Sequence, residues 1–159
     1  MLTEKTLEKI QQIQKNYHSK KSAVMGALMA VQRDSGNNLT REDMEAVAEI
    51  LEVNPVEVQA VAGFYTMYNW KKPVGRHHIE ICWNLSCSLM GAEHLISHME
   101  KKLGITLGET TADGMFTLST AECLGSCGTA PMMQVGDDYY ENLTVEKVDK
   151  ILADLRASS

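Results

Sequence analysis

The chain has 159 residues, 44% of them apolar and 23% charged, with a net charge of −6 at neutral pH. That composition excludes collagen-like, disordered and coiled-coil architectures and leaves room for one ordinary domain or two small ones. The acidic balance speaks against a broad nucleic-acid footprint.

The opening residues, MLTEKTLEKIQQ, carry Glu4 and Glu8 and no apolar stretch, so neither a secretory leader nor an acid-poor transit peptide is expected. Apolar residues at Leu2, Leu7, Ile10, Ile13 and Tyr17 recur at helical spacing and predict an amphipathic helix. Ser22 is a candidate cap for a second helix, with Met25, Leu28, Met29 and Val31 on its apolar face and a stop at Gly36-Asn37-Asn38. The longest nearly unbroken apolar run, Ala23 to Val31, is nine residues, about half of what a bilayer-spanning helix requires. Thr40 opens a third helix, with Glu42 and Asp43 in its first turn and Met44, Val47, Ile50 and Leu51 as its buried stripe. Asn54-Pro55-Val56-Glu57 reads as a fourth start, with an Asn cap, a proline at the first helical position and a Glu three residues after the cap; the pattern persists to about Ala62. The aromatic-rich stretch Gly63 to Trp70 is expected to pack the helical unit onto the second half of the chain, with the boundary in Lys71 to Arg76. The expected division is a helical bundle over residues 1–72 and a second domain over 73–159.

The second half differs in charge and in period. Residues 1–76 are net +1 and residues 77–159 net −7. His78 to Cys82 alternates as a short strand, and Ser88 to Leu103 reads as one helix with Leu89, Ala92, Leu95, Ile96 and Met99 inward. Met115 to Ala121 suits a second strand. Met132 to Val135 with Tyr139-Tyr140 around Gly136-Asp137 suits a hairpin, and Thr144 caps a terminal helix. The order implies an α+β fold whose second half is a small mixed sheet covered by helices.

All four cysteines lie in this acidic half, as C-x4-C at Cys82 and Cys87, then 35 intervening residues, then C-x3-C at Cys123 and Cys127. On the predicted elements each pair stands where a strand runs into a loop. Iron–sulfur clusters take four thiolates from loops, which let the sulfurs converge while backbone N–H groups point at the centre. Gly125 and Gly128 permit close backbone approach, and a helix starting near Ser88 would aim its positive end at an anionic centre. The competing readings are a structural zinc site with four cysteine ligands and a set of buried structural cysteines or disulfides. Zinc ribbons favour x2 spacing within each knuckle, and thiols in a chain without an export signal stay reduced. A thioredoxin-type dithiol would need C-x2-C, which is absent. His94 and His98, at i and i+4, lack the Glu of the zinc-protease pattern and read as exposed helix residues; His77-His78 reads as structural or solvated. The chain has no G-x-G-x-x-G and no G-x4-G-K-S/T, so no nucleotide fingerprint of its own.

The segments Cys82-Trp83-Asn84-Leu85-Ser86-Cys87, Ala121-Glu122-Cys123-Leu124-Gly125-Ser126-Cys127-Gly128-Thr129-Ala130-Pro131-Met132-Met133 and Gly136 to Thr144, with Gly63 to Met67 in the first half, resemble the thioredoxin-like 2Fe-2S subunit family of NADH:quinone oxidoreductase, found in bacterial and mitochondrial complex I. The resemblance covers nearly the whole chain. It implies a thioredoxin-like fold for the second half and makes Cys82, Cys87, Cys123 and Cys127 the ligands of one 2Fe-2S cluster. It also implies an electron-transfer role, with FMN and NADH on an NADH-binding flavoprotein partner rather than on this chain, and further iron–sulfur subunits in the same assembly. Related subunits serve NAD-dependent formate dehydrogenases and bidirectional or bifurcating hydrogenases, and a zinc-stabilised interaction module is the alternative of another class. The implied location is cytoplasmic, on the peripheral arm of a membrane-bound complex. The helical first half brings no cysteine and no obvious catalytic group, so its outer faces are expected to dock a partner. Thioredoxin-like folds also make Ala130-Pro131 a candidate cis bond.

Overall fold

In the computed structural model, which describes residues 2–158, the chain folds about two separate cores, one in the run ending at Pro73 and one in the run beginning at Val74.

The first unit is helical. Helix α1 (Glu4–Lys15) is capped by Thr3, whose hydroxyl accepts from Thr6 N, and Thr3 and Thr6 both donate to the Asp34 carboxylate, at 2.8 and 2.5 Å. Asp34 is the last residue of α2 (Val24–Asp34), so this polar knot joins the start of one helix to the end of the next. Ser22 does not cap α2: it lies inside a 3-10 turn, Lys20–Ala23, and α2 follows from Ala23 with no side-chain cap. The 3-10 turn takes the place of a side-chain cap: Val24 N–H donates to Lys21 O, so backbone carbonyls of the turn meet the first N–H groups of α2. Helix α3 (Arg41–Leu51) begins as expected at Thr40 and carries a full capping box, with Asp43 returning the bond to Thr40 N at 2.9 Å. Helix α4 (Pro55–Phe64) starts at Asn54, whose side chain accepts from Val56 N, and runs two residues past the expected end. Glu57 does not complete a box there; it pairs with Lys21 at 2.6 Å.

Ile10, Leu28, Val31, Val47 and Leu51 are fully buried between these helices, each adding about 1.5–3 kcal/mol by leaving water. Gly26 lets α1 and α2 meet, because a Cβ there would stand 2.9 Å from Ile13 Cγ2. The aromatic segment after α4 is held to this unit. Tyr68 is buried and donates to Met25 O at 2.9 Å, Trp70 packs against the same core, and the buried Gln32 side chain donates to Met67 O and accepts from Asn69 N.

The second unit is a four-stranded sheet in the order β2-β1-β3-β4. Strands β1 (His77–Cys82) and β2 (Phe116–Ala121) pair in parallel with Cys82 opposite Ala121, while β3 (Met133–Val135) pairs antiparallel with β1, and β4 (Asp138–Tyr140) antiparallel with β3. Gly136, at φ +60°, supplies the left-handed turn residue of the β3–β4 hairpin. Two helices follow β1 where the periodicity predicts one: α5 (Leu85–Leu89) and α6 (Ala92–Leu103). Gly91 at φ +93° breaks the run, and Asn84 caps α5 by accepting from Leu85 N. The break turns Leu89 outward, leaving it 77% exposed in place of the expected inward position. Helix α7 (Val145–Ala157) starts at the predicted Thr144 cap. Ile79, Ile81, Leu118, Met132 and Met133 form the core with Met99 of α6 and Val148 of α7. The Ala130-Pro131 bond is cis. Among the described residues no helix is long and apolar enough to cross a membrane.

Gly75 enters this sheet against a backbone wall. A Cβ on it would lie 2.6 Å from Gly114 O, and its N–H donates to Thr117 Oγ1 at 2.7 Å. Gly75→Ala is therefore expected to destabilise the protein by about 1–3 kcal/mol, the range for forcing atoms into a filled space. The check is the denaturant midpoint; an unchanged midpoint would show that the segment yields freely.

Candidate functional site

Parallel strands end side by side, and here that places two distant cysteine pairs together. Cys82 is the last residue of β1, and Cys123 stands two residues beyond the end of β2. Cys87 is held inside α5 rather than in the open loop that the spacing suggests, and Cys127 begins a 3-10 turn, Cys127–Thr129. Cys82 and Cys87 are buried and Cys123 and Cys127 exposed, all four as free thiols. The site is thus dry on one side and open on the other.

The thiols perturb one another. Burial pushes the Cys82 thiol up, but backbone hydrogen bonds from Asn84 and Leu124 and the side chains of Cys87 and Cys123 pull it down, and the balance is downward. Cys87 moves the other way: burial raises it first, then its hydrogen bond to Cys82 and the nearness of Cys82 and Cys127, against a backbone bond from Met132. Gly125 N donates to Cys123 Sγ at 3.4 Å. Gly125 stands at φ +78°, a left-handed conformation that glycine adopts without strain. Backbone donors thus reach at least three of the four sulfurs, and such bonds offset negative charge gathered there.

The donor set fits an iron–sulfur centre: four thiols in two pairs, backbone N–H groups aimed at sulfur, and one face shielded from water. Among the described residues no three His, Cys, Asp or Glu side chains gather on a single metal position. The expected contribution of a helix dipole does not appear. The longer helix α6 starts only at Ala92, and α5 has five residues.

The second loop is braced in a way no local pattern announces. Ser126 Oγ donates to Glu141 Oε1, Thr129 Oγ1 reaches the same oxygen at 2.6 Å, and Tyr139 Oη donates to Leu124 O at 2.8 Å. Ser126 and Thr129, three apart in a Gly-containing loop, hint at a local hydroxyl turn; their shared partner Glu141, just after β4, comes from the tertiary fold. Trp83, Leu85, Leu89 and Met90 leave apolar surface exposed beside the first pair.

The histidines stand apart from this site. His98 is half-buried rather than exposed and is paired with Asp149 of α7 at 2.7 Å, while His94 is exposed. His78 Nε2 is 2.7 Å from Ser119 Oγ, and the His77 ring lies against Phe116.

Comparison with known proteins agrees with this geometry. The family model for the thioredoxin-like [2Fe-2S] ferredoxin matches residues 10–156. The chain is 48% identical to an NADH-quinone oxidoreductase subunit of Rhizobium meliloti, over 95% of this chain and 89% of that protein. It is 42% identical to NADH-quinone oxidoreductase subunit 2 of Thermus thermophilus, over 87% of this chain and 76% of that one. Among solved structures, an NAD+-reducing [NiFe]-hydrogenase in the air-oxidized state shares the fold with a TM-score of 0.70 at 20% identity, over 82% of this chain and 23% of the hydrogenase chain. Because the family model spans both units and the cysteine spacing lies inside it, the chain belongs to the thioredoxin-like [2Fe-2S] ferredoxin family.

Proposed function

We propose that this chain is the electron-transfer subunit of an NADH:quinone oxidoreductase, with Cys82, Cys87, Cys123 and Cys127 as the ligands of one 2Fe-2S cluster. The observation that carries the reading is the meeting of four thiols, from the end of β1, from α5 and from the segment after β2, at one end of the β1–β2 pair, with backbone donors on the sulfurs. A 2Fe-2S centre supplies reversible one-electron chemistry at a potential set by charge, hydrogen bonding and exposure. The protein's residues do the rest. Buried Cys82 and Cys87 keep water from one side, and the exposed Cys123–Cys127 loop gives electrons a short way out. The acidic second half opposes gain of an electron, and the backbone donors at Cys82, Cys87 and Cys123 counter part of that.

The chain carries no nucleotide motif, so FMN and NADH belong on the NADH-binding flavoprotein partner. Relatives named as subunits of NADH-quinone oxidoreductase, at 41–48% identity, favour this assembly over the hydrogenase and formate dehydrogenase alternatives. A place on the cytoplasmic peripheral arm of the membrane complex follows from that assignment. Apolar Trp83, Leu85, Leu89 and Met90 by the first cysteine pair, and Phe64, Tyr65 and Met67 at the end of the helical unit, are exposed and suit contact with a partner subunit. The helical unit brings no cysteine and serves docking.

Two experiments test the reading. Cys→Ala at any of the four cysteines is expected to remove or greatly weaken the cluster, measured as iron and sulfide per chain, while His94→Ala and His98→Ala leave the visible spectrum unchanged. Loss of the spectrum in a histidine variant would show a misassigned ligand. Deleting residues 1–72 is expected to leave a chain that still takes up iron but no longer copurifies with the FMN-bearing subunit; undiminished copurification would assign docking elsewhere.

A further inference from the structure

At its Cys123 end the loop is held by Leu124, which packs against the core and accepts from Tyr139 Oη, but the stretch from Gly125 to Gly128 has little of its own to hold it. Both cysteines are exposed, Gly125 and Gly128 have no side chain to pack, and Glu122 is exposed. A loop of this kind samples many conformations unless something outside it intervenes, yet two thiolates can bind irons only at a fixed separation. The structure has such an external brace. Ser126 Oγ and Thr129 Oγ1 lie 2.7 Å apart and both reach Glu141 Oε1. Thr129 N donates to Ser126 O at 3.1 Å, closing the turn that begins at Cys127, and Asn142 N, next to Glu141, donates to Thr129 O at 2.7 Å. Glu141 directly follows β4, and β4 is tied through β3 to β1, the strand that ends at Cys82. A continuous line of hydrogen bonds therefore runs from the strand of the first cysteine pair to the loop of the second. The Ser126 and then the Thr129 hydroxyl hold the Glu141 carboxyl below the usual carboxylate range, so it is the accepting partner at neutral pH.

We propose that Glu141 is a positioning residue for the iron–sulfur centre: by accepting from Ser126 and Thr129, its carboxylate fixes the segment between Cys123 and Cys127 in the spacing that ligation needs. This rests on the cluster assignment made above. The required feature is an acceptor joined to the sheet. Gln retains an acceptor oxygen at the same reach, and Leu has the size without the oxygen.

The test uses the full-length chain and a double-mutant cycle. The variants are Glu141→Leu, the Ser126→Ala/Thr129→Ala pair, their triple combination, and Glu141→Gln. Two properties are read: amide hydrogen exchange over residues 122–129 in the metal-free chain, and the rate at which a chelator strips iron from the reconstituted chain. Glu141→Leu and the hydroxyl pair each remove both hydrogen bonds to the carboxylate and are each expected to speed loop exchange and iron release by at least about tenfold. The triple variant should be no worse than Glu141→Leu, and Glu141→Gln should recover most of the parent behaviour in both. Parent-like exchange and release in Glu141→Leu would overturn the proposal. So would a triple variant in which the two effects multiply, or a Glu141→Gln chain as loose as Glu141→Leu. If Glu141→Leu does not fold, the hydroxyl pair decides alone, since it leaves the sheet untouched, and a loop as protected as the parent's would overturn the idea. A parent chain that takes up no iron and sulfide would defeat the cluster assignment instead, and the exchange in the metal-free chain would still judge the brace.

Discussion

The parallel pairing of β1 and β2 is the constraint on which the site depends. Cys82 and Cys123 are far apart in sequence, and the parallel pairing, with Cys82 opposite Ala121, brings the segments that follow the two strands to one end of the sheet. Parallel strands require a covered crossover between them, and α5 and α6 provide it. The crossover is part of the site as well, because α5 holds Cys87 against the core. A slip of one residue in this register would turn Ile79 and Ile81, both fully buried, toward the other face. The hydrophobic core and the placement of the cysteines are therefore held by the same register.

Charge is arranged unevenly around that point. Four thiolates and two sulfides with two ferric ions carry about −2, and about −3 after one electron is added, within a half of the chain that is itself net −7. Backbone donors at Cys82, Cys87 and Cys123 oppose this build-up without bringing a full positive charge. Such an environment favours a low potential. The two cysteine pairs also differ in kind. The first is buried among apolar side chains, and the second is exposed and braced by polar contacts to Glu141 and Tyr139. One pair is positioned by packing and the other by hydrogen bonds.

Much of this is legible in the sequence because its causes are local. The caps at Thr40, Asn54 and Thr144 and the Gly136 turn each depend on a few consecutive residues, and each stands where the local pattern puts it. The features that escape such a reading depend on residues far apart. A single Gly within a helical pattern costs only about 1 kcal/mol, so Gly91 does not by itself announce that Ser88 to Leu103 splits; its left-handed conformation is a product of the fold that turns Cys87 inward. Ser22 has the chemistry of a cap, but it lies inside the 3-10 turn that precedes α2, whose backbone carbonyls serve the helix start instead. Gln32, which secures the chain after α4 from both its amide nitrogen and its oxygen, and Glu141, which reaches back across the hairpin, have no sequence neighbour that marks them. The chemistry is readable in the cysteines, and the means of holding them is readable only in part.

The central claim is that four thiols hold two irons and two sulfides, not one zinc. The most direct measurement is metal and acid-labile sulfide on the full-length chain prepared without oxygen, followed by reduction and spin counting. The account predicts about two irons and two sulfides per chain, a red-brown protein, and one unpaired spin per chain after uptake of a single electron. A colourless chain with one zinc and no sulfide would contradict it.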